Sequence, residues 1–185
     1  MNGILLTHGA GSNADAPLLV ALAAAFEVAG WRAIRYNLPY RQARPSGPPF
    51  PAQAANDRAG LAEAVAQMRA SVDGIVAVGG HSYGGRQASM LAAEQPGMID
   101  ALLLLSYPLH PPRKPQQLRT AHFAAWQTPA LFVHGTRDPF ASVEELRSAI
   151  ADIPAAARLM TIERAGHELK GVDTAAVVES FQEIA

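Results

Sequence analysis

Apolar residues in this chain fall into two alternating patterns: short unbroken runs, and longer stretches with apolar positions three or four residues apart. Leu102-Leu103-Leu104-Leu105 and Ala130-Leu131-Phe132-Val133 are apolar at every position, and Ile75-Val76-Ala77-Val78 is also rich in β-branched residues. Runs of that length read as strands covered on both faces. The predicted strands are residues 4–7, 31–36, 74–78, 99–106, 130–133 and 158–162. Helical stretches separate them. Asp15 is placed to cap a first helix, with Pro17 in its first turn and Gly30 at its end. Leu61, Val65 and Met68 share one face of a helix over 54–70, and further helices are predicted over 86–95 and 116–126. Ser142 and Glu145 form a capping box. Asp173 caps a last helix, buried through Val177, Val178, Phe181 and Ile184. Strand and helix alternate without an internal repeat, which predicts six parallel strands in a three-layer α/β/α sandwich.

Composition narrows the picture. A chain of 185 residues that is 49% hydrophobic is expected to form one domain with a proper core. The net charge is −1 without a long run of one sign, so no nucleic-acid partner is expected. Cysteine is absent, which removes disulfides, thiolate metal sites and thiol catalysis. The chain enters its first strand at Gly3 without a basic leader, and the apolar stretch 18–25 is too short to span a bilayer. The expectation is a cytoplasmic protein with no membrane partner.

The candidate chemistry sits past strand ends, where a parallel sheet places its site. Gly80-x-Ser82-x-Gly84 lies between a predicted strand and a predicted helix, the context of a nucleophile elbow. Such a turn holds its serine in a strained conformation, and its glycines let neighbouring backbone pass. Asp138 follows the fifth strand in His134-Gly135-Thr136-Arg137-Asp138-Pro139, and His167 follows the sixth in Ala165-Gly166-His167-Glu168. Ser82 needs a base, His167 can supply one near neutral pH, and Asp138 can fix its tautomer. Asp152 and Asp173 are rival acids explained by helix boundaries; Glu168, Glu163 and Glu144 are less well placed. Two backbone N–H groups, those of Tyr83 and Ala10 (Gly11 the alternative), are the expected oxyanion hole. His8 and His134 read as structural, and His81 is expected to point away from the nucleophile. Two proline-rich loops, 37–51 and 107–115, should form a stiff rim. Tyr40, Arg41, Tyr107, His110 and Phe140 are the candidate substrate contacts. Neither a metal nor a cofactor is called for.

With these motifs in place, the chain resembles a compact α/β-hydrolase of the dienelactone-hydrolase-like group. His8-Gly9-Ala10-Gly11, the Ser82 elbow, His134-Gly135-x-x-Asp138-Pro139 and Ala165-Gly166-His167 all match its pattern, over nearly the whole chain. The segment Ser106-Tyr107-Pro108-Leu109-His110-Pro111-Pro112 is similar to a small bacterial branch with eukaryotic chromatin-associated relatives. The resemblance implies a minimal fold without a lid domain, opening at what would be the third strand of the usual sheet. It also implies a carboxylesterase-like serine hydrolase acting on a small carboxylic ester, lactone or related acyl compound. True dienelactone hydrolases carry a cysteine nucleophile; here the position is Ser82, which argues against dienelactone itself. A scaffold that keeps the fold without turnover, and an acyltransferase or perhydrolase using the same three residues, stay open at this point.

Overall fold

A computed structural model describes residues 1–185. Its strands are β1 (Gly3–Thr7), β2 (Arg32–Tyr36), β3 (Val76–His81), β4 (Ala101–Leu105), β5 (Ala130–Gly135) and β6 (Ala157–Ile162). All neighbours pair in parallel, in the order β2-β1-β3-β4-β5-β6. Six α-helices connect them: α1 (Pro17–Val28), α2 (Pro39–Ala43), α3 (Ala54–Arg69), α4 (Tyr83–Glu94), α5 (Val143–Ile150) and α6 (Thr174–Gln182). Alternate strand residues enter two separate cores. Leu5, Val78, Leu104 and Phe132 pack under α3, α4 and α5, while Ile4, Leu103, Leu105 and Val133 pack under α1 and α6. Burial on both faces is why the central strands read as unbroken apolar runs. Only the edge strands β2 and β6 are partly exposed.

After β2 the chain returns to the other side of β1, so the strand order reverses between β1 and β3. The carboxyl ends of these strands therefore diverge into a crevice, and the loops after Thr7 and His81 meet there.

Four local expectations need correction. β3 runs beyond Val78 through Gly79 and Gly80 to His81, and α4 starts at Tyr83, so Ser82 alone makes the turn. Glycine carries no strand signal, yet Gly80 pairs with Thr7 in the ladder. A Cβ on Gly80 would lie 2.3 Å from the Gly85 nitrogen, so the close crossing of β3 and α4 requires glycine there. Asp15 does not cap α1; Ala16 precedes Pro17, and the Asp15 carboxylate pairs with Arg35 instead. No α-helix forms over 116–126, only a 3₁₀ turn at Phe123–Ala125. Backbone groups there are committed to distant partners, the Arg119 N–H to the Leu109 carbonyl at 2.8 Å and the Arg119 carbonyl to the Tyr107 hydroxyl at 2.8 Å. Conversely, the short α2 arises inside the proline-rich loop 37–51, started by Pro39. The caps at Ser142 and Asp173 form as expected, and Ile184 lies half-buried just past the end of α6.

Candidate active site

Ser82 occupies φ 50°, ψ −114°, a left-handed conformation that costs a residue with a side chain on the order of 1–3 kcal/mol. The surroundings hold it there. Its N–H donates to the Leu105 carbonyl at 2.8 Å, and its own carbonyl accepts the Arg86 N–H at 3.0 Å. The strain lifts the side chain off the end of β3 toward the loops after β5 and β6.

Ser82, His167 and Asp138 meet although they are distant in the chain. Ser82 Oγ lies 2.8 Å from His167 Nε2, and His167 Nδ1 lies 2.8 Å from Asp138 Oδ2. The second carboxylate oxygen, Oδ1, accepts the Phe140 N–H at 2.8 Å. A carboxylate only accepts, so His167 carries its proton on Nδ1 and offers the Nε2 lone pair to the serine hydroxyl. Burial pulls the Asp138 pKa upward, but the hydrogen bond and charge of His167, with the Phe140 N–H, outweigh it and hold the carboxyl below its ordinary 3.8. Asp138 therefore stays ionised at neutral pH.

Two aromatic groups position His167. The Phe140 ring lies against the imidazole with centroids 4.2 Å apart. His81 packs on another side at 5.1 Å, and its Nε2–H donates to the His167 carbonyl at 2.8 Å. Burial lowers the His81 pKa, so this ring is neutral.

Ser82 opens into a cavity of about 670 Å³, lined also by Ala10, Tyr83, Phe50, Met90 and Phe140. The rim comes from both proline-rich loops, through Pro48, Pro49, Pro51 and Pro108. The Ala10 N–H has no protein acceptor, and the Tyr83 N–H is the first of α4, a donor that a helix cannot satisfy from within. Both residues line the Ser82 cavity, and the positive end of α4 is directed there.

Of the five candidate substrate contacts, only Phe140 lines this cavity. Tyr40 and Arg41 are buried beneath the loop after β1 and hold its carbonyls. The Tyr40 hydroxyl donates to Gly9 and Ala10 (3.1 and 2.9 Å), and Arg41 donates to Ser12, Ala10 and Gly47. Tyr107 is a core residue bound to the Arg119 carbonyl. His110 contacts the Pro111 carbonyl and Glu145. His8 and His134 are buried on backbone partners: the Leu38 N–H donates to His8 Nε2 at 3.1 Å, and His134 Nε2 lies 2.9 Å from the Ala141 carbonyl.

Asp57 escaped the sequence reading. This fully buried carboxylate accepts the Tyr40 N–H at 2.9 Å and the Tyr83 hydroxyl at 2.7 Å, tying α3 to the loop after β2 and to the elbow. Burial, then the bond to Asp57, pushes the Tyr83 phenol well above its ordinary pKa. The available signal was a charged residue on the apolar stripe of α3, in register with Leu61, Val65 and Met68.

Comparison with known proteins identifies the family and the fold. A family model described as an alpha/beta hydrolase domain matches residues 1–180. Est1E from Butyrivibrio proteoclasticus, solved with ferulic acid bound, is 19% identical with a TM-score of 0.80 over 100% of this chain and 89% of that one. Dienelactone hydrolase from Anabaena variabilis is 20% identical with a TM-score of 0.73, over 99% and 83%. A monoacylglycerol lipase from Paleococcus ferrophilus is 14% identical with a TM-score of 0.78, over 98% and 94%. At these identities the likeness is one of fold. No helix is long and apolar enough to cross a membrane.

Proposed function

The chain belongs to the alpha/beta hydrolase family, and we propose that within it the protein is a serine hydrolase acting on a small carboxylic ester, lactone or related acyl compound. The observation that carries this reading is the continuous hydrogen-bonded line from Ser82 Oγ through His167 to Asp138, with both links at 2.8 Å. His167 Nε2 takes the serine proton as Oγ adds to the substrate carbonyl. The negative charge formed on the carbonyl oxygen is met by the N–H groups of Ala10 and Tyr83. The tetrahedral adduct collapses, the alcohol leaves with the proton from His167, and Ser82 is left acylated. Water, deprotonated by the same imidazole, then adds to the acyl carbonyl, and the acyl–Oγ bond breaks as His167 returns the proton to Ser82, releasing the acid. Asp138 stabilises imidazolium in each half-reaction without itself taking the proton.

A panel of 4-nitrophenyl esters tests the proposal. Turnover that falls to the spontaneous rate in Ser82→Ala is expected. Turnover that survives this substitution, or none on any ester, thioester or lactone, would overturn it. Added alcohol or peroxide in the same assay reports whether an acceptor other than water takes the acyl group.

A further inference from the structure

The cavity around Ser82 is lined by three arginines, Arg58, Arg86 and Arg119, and by no acidic residue. Arg58 has a partner, Glu94 at 2.9 Å. Arg86 has none: its guanidinium donates to no protein acceptor, and its Nε is buried without a hydrogen bond. Arg119 reaches only the Pro108 carbonyl, at 3.2 Å. The excess positive charge is felt nearby. Burial, followed by repulsion from Arg86, lowers the Arg119 pKa, and burial with Arg86 and Arg58 brings His122 down to about 4.

A half-buried guanidinium without an acceptor is costly unless something else supplies one. Its planar fork matches a carboxylate with two parallel hydrogen bonds. Arg86 follows Ser82 by one turn of α4, the Arg86 N–H donating to the Ser82 carbonyl at 3.0 Å. Both side chains line the same cavity of about 670 Å³, so one small substrate can reach both. The same cavity is lined by the apolar side chains of Phe50, Met90 and Phe140. We infer that the substrate is an anionic ester, carrying a carboxylate a few carbons from its scissile carbonyl, with Arg86 as the principal anchor and Arg119 beside it. This inference rests on the serine hydrolase reading and narrows its substrate.

The test compares kcat/KM for 4-nitrophenyl hydrogen glutarate, charged on the acyl side, and 3-carboxyphenyl butyrate, charged on the alcohol side, each with its neutral methyl ester. One anionic member of these pairs should be preferred by roughly tenfold or more at low salt, in keeping with a desolvated charge-assisted contact, and the preferred pair identifies the side. The preference should vanish in Arg86→Gln, return in part in Arg86→Lys, and shrink in 0.5 M salt, where the Debye length is about 4 Å. Equal rates for charged and neutral esters would overturn the inference, as would a preference that survives both Arg86→Gln and Arg119→Gln. Calorimetry on Ser82→Ala separates this from the parent reading. Phenyl hydrogen glutarate or 3-carboxyphenyl butyrate, whichever carries its charge on the recognised side, should bind more tightly than its own methyl ester. Arg86→Gln should remove the difference whether or not any ester is turned over. Equal binding in both pairs would refute anion recognition.

Discussion

Asp138→Asn isolates the part of the site that sets the histidine tautomer, and the structure dictates which way the amide turns. Asp138 Oδ1 accepts the Phe140 N–H at 2.8 Å, a bond that only the amide oxygen can keep. The NH₂ group must then face His167 Nδ1, 2.8 Å from the position of Oδ2. Two donors cannot share that contact, so His167 shifts its proton to Nε2 and loses the lone pair that receives the Ser82 hydroxyl. Both positions are nearly isosteric, and Asp138 is buried, so water cannot rescue the geometry. The same exchange in a serine protease lowers kcat by about 10⁴, equivalent to about 5.5 kcal/mol of barrier, and a similar loss is expected here with KM little changed. Steady-state kinetics on a 4-nitrophenyl ester measures the loss, and ¹⁵N NMR of the imidazole reads the tautomer directly. A variant within tenfold of the parent, or one that keeps the proton on Nδ1 while losing activity, would refute the reasoning.

Two further outcomes follow from the surroundings of the site. His81→Phe keeps a ring against His167 but deletes the N–H bond to its carbonyl, present at 2.8 Å. A single such bond is worth about 1 kcal/mol to the folded state, so the melting temperature should fall by about 2–4 °C. A positioning role should lower kcat with KM nearly unchanged; a matching rise in KM would contradict it. Burial, ahead of the nearby arginines, holds His122 at about 4 against an ordinary 6.5. The unfolded chain therefore binds a proton that the folded chain refuses, and stability should drop as pH falls from 6.5 toward 4. After allowance for solvent screening the loss is about 1–2 kcal/mol. Urea melts across this window should show a slope that flattens in His122→Gln.

Much of the architecture was legible because strands covered on both faces advertise themselves as unbroken apolar runs. Leu102 to Leu105 could be little else. The exceptions share a cause. Gly79 and Gly80 carry no side-chain signal, so the end of β3 was invisible although its backbone ladder is regular. Residues 116–126 satisfy local helical spacing, but Tyr107 and Leu109 take their backbone partners from outside the segment. The order of Ser82, Asp138 and His167, each past a strand end, could be read in advance, and their side chains do meet within hydrogen-bond distance. The walls of the cavity could not. Tyr40, Arg41 and Tyr107 look like exposed rim residues because they are polar and lie in loops, yet each is buried and holds backbone carbonyls. Arg86 gains its meaning only in three dimensions, from the absence of any partner around it.

The central claim is that Ser82 is a nucleophile activated by His167, and covalent labelling tests it most directly. A fluorophosphonate probe adds to an activated serine and stops there, so neither the identity of the substrate nor the fate of an acyl group enters the result. Intact-mass and peptide mass spectrometry should find one adduct, on Ser82, absent from Ser82→Ala and strongly slowed in His167→Ala. An adduct on another residue, or equal labelling of the native and Ser82→Ala proteins, would contradict the account.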